Sequence, residues 1–147
     1  MPSLPARILL GFVAAAISVL TFHQGVIALY HLAGLPIVAW SMRPVPPYGV
    51  PLLVDLCFWG GLYGAVFGIA APILRPLWVW GIVLGCIAAA VGWLVVAPLK
   101  GAPLGYGWHT AQMIRSLIIN GSWGLGVGLI LPLLLPDLSA RRRRRFA

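Results

Sequence analysis

Residues 55–76, DLCFWGGLYGAVFGIAAPILRP, limit what this chain can become more than any other stretch. A bilayer crossing needs about 20 apolar residues, and this run supplies them. It sets Gly60, Gly64 and Gly68 on one helical stripe and opens on Asp55, one of two carboxylates in the protein. Three further apolar runs accompany it. With 61% hydrophobic residues, 8% charged residues and a mean hydropathy of +1.00, the sequence cannot cover a soluble domain. Such a surface carries about a quarter charged residues. At 147 residues there is room for four spans and none for a separate catalytic domain. The expected fold is an all-α membrane protein with transmembrane helices at about 8–30, 51–74, 78–96 and 111–135. These make one domain, 1–138, followed by a basic tail, 139–147.

Prolines and charges mark the breaks. Arg7 precedes the first apolar run, which is too long for a signal peptide and has no convincing cleavage site, so it is expected to be retained. Pro36, Pro44, Pro46 and Pro47 remove backbone donors and point to an extended loop, with Trp40 and Tyr48 suited to the membrane interface. The sequence ILRPL makes a tight turn, and PLKGAPLGYGWHT is a second polar connection.

The net charge of +8 resembles a nucleic-acid signal, but Arg141, Arg142, Arg143, Arg144 and Arg145 hold half of the ten basic residues in one terminal block. That block reads as a determinant of topology and a contact for anionic lipid headgroups, with no nucleic acid implied. Four spans put both termini on one side. Arg7, Arg75 and the arginine block there face Arg43 and Lys100 opposite, so both termini are expected in the cytoplasm.

The stretch 51–76 has an echo at 111–136. It pairs Gly61 with Gly121, Gly64 with Gly124, Gly68 with Gly128, Pro72 with Pro132 and Pro76 with Pro136, and sets Asp55 against Arg115. Likewise LGFVAAAISVL at 10–20 matches LGCIAAAVGWL at 84–94. The reading is a tandem duplication of a two-helix hairpin, with parallel repeats about an axis along the membrane normal. The small-residue stripes Gly60/Gly64/Gly68, Gly81/Gly85 and Gly124/Gly128 let backbones approach closely where lipid supplies no hydrophobic drive. They serve either packing within the four helices or a homo-oligomer interface.

Five polar side chains lie inside apolar spans: His23, Gln24, Asp55, Arg115 and Asn120. His23 lies sixteen residues beyond Arg7, about 24 Å along a helix, and Asp55 and Arg115 each lie about 6 Å inside the opposite helix ends. All five are therefore expected near one outward-opening cleft, with Asp55 and Arg115 forming an ion pair between the repeats, because an unpaired charge in a span costs about 2.5–3.5 kcal/mol. A solute or proton site is the alternative use of the same cluster. Cys57 and Cys86 fall in apolar segments without metal or redox spacing and read as small buried hydrophobes. No spacing of His23 with His31 or His109 supports a haem or metal, so neither cofactor nor metal is expected. Catalysis is not expected either, since Asp55 and Asp137 fall on opposite sides of the membrane.

The blocks TFHQG (21–25), SMRPVPPYGVP (41–51), LCFWGGLYG (56–64), VVAPLKG (95–101) and INGSWGLG (119–126) resemble those of small four-helix inner-membrane proteins of proteobacteria, across nearly the whole chain. The resemblance implies a bacterial inner-membrane location and carries no assigned activity. Two functional classes stand open. One is a non-enzymatic accessory or scaffold subunit that packs with itself or with other membrane proteins. The other is a small transporter or channel for a proton or small solute, with an outward-facing polar site.

Overall fold

The structure is a computed structural model that describes residues 2–135; the arginine block 141–145 and Asp137 lie outside the described residues. The fold is all-α, with four helices long and apolar enough to cross a membrane: α1 (Leu4–Leu32), α2 (Leu52–Ala70), α3 (Leu77–Leu99) and α4 (Thr110–Leu134). A pair of two-residue strands, β1 (Pro44–Val45) and β2 (Val50–Pro51), joins α1 to α2.

The first helix begins earlier than its apolar run. Ser3 accepts from the Ala6 N–H as N-cap and Pro5 fits the first turn, so Arg7 is a helical residue and not a flanking one. Its guanidinium donates to the Ile69 carbonyl on α2 at 3.0 Å. The second helix stops at Ala70, short of the expected 74 and two residues before Pro72.

Each odd-numbered helix carries the same two irregularities. A π turn interrupts α1 at Val19–His23 and α3 at Gly92–Val96. Each then ends in a Schellman motif. The Gly34 and Leu35 N–H groups donate to His31 and Tyr30, and those of Gly101 and Ala102 donate to Pro98 and Ala97. The left-handed residue is Gly34 (φ 91°) in one and Gly101 (φ 74°) in the other.

The loop after α1, expected to be extended, folds back as an antiparallel hairpin in which Pro44 faces Pro51 and Val45 faces Val50. The fold-back serves the start of α2, whose first N–H groups have no partner within the helix. Leu52 N–H donates to the Arg43 carbonyl and Leu53 N–H to the Ser41 carbonyl. Tyr48, at the hairpin tip, is 89% exposed.

Helices pair by glycine. A Cβ at Gly64 would meet the Gly11 carbonyl, and one at Gly68 the Arg7 carbonyl, so α1 and α2 approach at backbone distance. In the same way Gly124 lies against the Gly81 carbonyl, Gly128 against Leu77 and Gly85 against the Asn120 carbonyl, which locks α3 to α4. Such contact replaces the missing hydrophobic drive with dispersion.

The two hairpins join through α1 and α4, with α2 and α3 on the outside. At that seam Trp123, 3% exposed, donates its indole N–H to the Ala15 carbonyl at 3.1 Å. The Ser18 hydroxyl donates back to the Trp123 carbonyl. Tyr63 meets the Trp123 ring edge-on from α2. From there towards the chain termini the interior is filled by Ala14, Ala15, Phe67, Ala71, Val127, Leu131 and Leu135. Cys57 is partly buried, whereas Cys86 is exposed on α3 and is not the buried hydrophobe its sequence context indicates.

Candidate functional site

The π turn of α1 is where polar chemistry gathers. π-Bulges widen one turn of a helix and occur frequently at functional sites. This one ends on His23 and is followed directly by Gln24, which is 2% exposed. A buried amide must be satisfied, and here it is. The Gln24 carbonyl oxygen accepts the Trp40 backbone N–H at 2.7 Å, and its amide nitrogen lies 3.2 Å from His23 Nδ1. Trp40 is held at φ 50° and its indole donates to the Leu20 carbonyl within the π turn at 3.0 Å. The loop after α1 is thereby pinned to the middle of the helix it leaves.

That arrangement selects the histidine tautomer. A backbone N–H can only donate, so the Gln24 atom facing Trp40 is the oxygen and the atom facing His23 is the NH2 group. His23 Nδ1 therefore accepts, and the ring is neutral with its proton on Nε2.

Opposite, the first turns of α4 present Gln112, Arg115, Ser116, Ile119 and Asn120, whose spacing puts them on one helix face. With His23 and Ile27 of α1 they line an open cleft of about 460 Å³. Asn120 is braced along its own helix, donating to the Ser116 carbonyl at 2.9 Å and approaching the Ser116 hydroxyl at 3.4 Å. Among the described residues Arg115 is the one charged side chain lining the cleft.

The expected five-residue cluster is thus divided. His23, Arg115 and Asn120 line the cleft, Gln24 lies beneath it as a brace, and Asp55 is elsewhere. Asp55 and Arg115 form no ion pair. The Asp55 carboxylate accepts from the Trp59 indole one turn along α2 at 3.2 Å, while Arg115 turns to the α1 side of α4. The two lie at similar depth, but depth does not set rotation about a helix axis, and the cleft that Arg115 lines is built from α1 and α4 with no residue of α2.

The chain matches no known protein family, curated protein or solved structure. The site therefore rests on its own geometry. Among the described residues no group of three or more His, Cys, Asp or Glu comes together as a metal site. Five residues that hold the site or the seam escaped the sequence: Ser18, Trp40, Gln112, Ser116 and Trp123. A lone serine or tryptophan is ordinary in such a chain, and only Gln112, one turn before Arg115, and Ser116, one turn after Gln112, carried a legible signal in their helical spacing.

Proposed function

We propose that this protein is a non-catalytic accessory or scaffold subunit of a membrane assembly, located in a bacterial inner membrane with both termini cytoplasmic. The observation that carries this reading is the sealed seam. On the terminal side of the polar cleft, Trp123, Val127, Leu131 and Leu135 fill the space between α1 and α4, and Val127 and Leu131 are fully buried. A transporter needs a route past that level, and the packing supports a body that is closed there.

A second feature bears on how it assembles. Gly64, Gly68, Gly81, Gly85, Gly124 and Gly128 are all occupied by backbone within the protein. A partner, whether a second copy or another chain, would instead meet the outer apolar faces, such as Phe58, Trp59, Leu62 and Val66 on α2 and Trp80, Val83 and Ile87 on α3. The repeated π turn, Schellman ending and glycine contact support an origin of both hairpins in one duplicated unit.

Purification of the tagged protein from native membranes in mild detergent tests the proposal. A stable complex with another membrane protein, or a homo-oligomer that moves no protons or solutes in vesicles, is expected. Transport by the reconstituted protein would overturn it.

A further inference from the structure

The cleft between α1 and α4 has the chemistry of an anion site, and nothing in the subunit reading uses it. We propose that it binds a phosphate oxyanion, of the kind carried by a phospholipid headgroup or by free phosphate.

Charge is the first argument. Among the described residues Arg115 is the only charged side chain lining the cleft, and no carboxylate lines it. Asp55, the one acidic side chain in the spans, is engaged by Trp59 on α2. An arginine in a span with no carboxylate beside it among the described residues is suited to an anion from outside the chain, and its planar fork matches two phosphate oxygens.

Donor supply is the second. Gln24, itself fixed by Trp40, holds His23 Nδ1 as an acceptor and so commits Nε2–H to donate in the cleft that His23 lines. The Ser116 hydroxyl receives the Asn120 amide at 3.4 Å, which leaves its own proton to give. Arg115, His23 and Ser116 thus bring donors from two helices to one opening, a set that fits an ion with several acceptor oxygens.

Position is the third. Arg115 lies five residues into α4 from Thr110, about 7.5 Å along the axis, which is headgroup depth for a helix starting at the membrane surface. Tyr106 and Trp108, just before that start, are residues of the interfacial belt. Ile27 and Ile119 line the remainder of the opening, which at about 460 Å³ exceeds a bare ion. The apolar part suits the glycerol and upper acyl region of a lipid.

The test uses the full-length protein in mild detergent, with native mass spectrometry for retained lipid and thermal melting for binding. Phosphatidylglycerol is expected to be retained and to raise the melting temperature, whereas diacylglycerol, which lacks the phosphate, is not. Arg115→Gln is expected to weaken retention by about tenfold and Ser116→Ala by a few-fold, in line with loss of a charge-assisted bond and of a neutral one. Arg43→Gln and Lys100→Gln, which remove positive charge outside the cleft, are expected to leave retention unchanged. Stabilisation by inorganic phosphate without lipid retention, lost in the same two cleft variants, would assign the site to free phosphate. The proposal is overturned if neither probe binds, if Ser116→Ala and a folded Arg115→Gln both bind as the parent does, or if Arg43→Gln weakens binding as much as Arg115→Gln.

Discussion

The Ser18 hydroxyl donates to the Trp123 carbonyl at 2.6 Å, in a seam where the Trp123 indole in turn donates to Ala15. Among the described residues these two are the side-chain hydrogen bonds that cross between the hairpins. Trp123→Ala is expected to destabilise the protein by about 3–5 kcal/mol, because it removes a buried ring as well as the donor. Ser18→Ala is expected to cost nearer 0.6 kcal/mol, the average for hydrogen bonds between membrane helices. Melting in detergent measures both, and a Trp123→Ala variant as stable as the parent would show that the seam is held by something else.

Gly124 and Gly121, on neighbouring turns of α4, differ in what surrounds them. A Cβ at Gly124 would meet the Gly81 carbonyl and stand 2.8 Å from the Gly85 nitrogen, so Gly124→Ala forces α3 and α4 apart. The expected cost is about 1–3 kcal/mol. Gly121, one turn earlier, has nothing within 4 Å of that position, and Gly121→Ala is expected to be neutral or mildly stabilising through helix propensity. Equal melting temperatures for the two variants would contradict the packing described.

Gln24 holds the loop to the helix. Gln24→Ala leaves the Trp40 N–H without its acceptor, at a cost of about 1–3 kcal/mol if the segment stays buried. The expected response is release of the loop, read as faster hydrogen exchange around residues 38–45 with the rest of the helices unchanged. Unaltered protection there would mean that the bond to Gln24 does not hold the segment.

Asp55 and Arg115 are expected to act independently. Asp55→Asn retains an acceptor for the Trp59 indole and breaks no ion pair, so its effect on stability is expected within about 0.5 kcal/mol. In a double-mutant cycle with Arg115→Gln the losses are expected to add within about 0.5 kcal/mol. Coupling well beyond that would restore the pair that the structure separates.

Topology has its own measurement. A phosphatase reporter fused after Ala147 is expected to be inactive, consistent with a cytoplasmic tail next to the arginine block. Phosphatase activity would place the tail outside and reverse the orientation of every span.

What the sequence alone determined is the number and order of the apolar helices. Hydropathy is a local sum over each segment, and no partner is needed to make a 20-residue apolar run insoluble in water. The irregular ends were less legible. Arg7 lies within α1 because Ser3 caps the helix before the apolar run begins, and the proline-rich loop is folded because its carbonyls are needed by Leu52 and Leu53. Depth along each span was readable as well, and it brought His23, Arg115 and Asn120 to one level. Only the tertiary structure decided which way each side chain turns. Rotation about a helix axis depends on which neighbour the glycine stripes accept, and that choice directs Arg115 to the cleft beside His23 while leaving Asp55 with Trp59 on α2, outside the cleft.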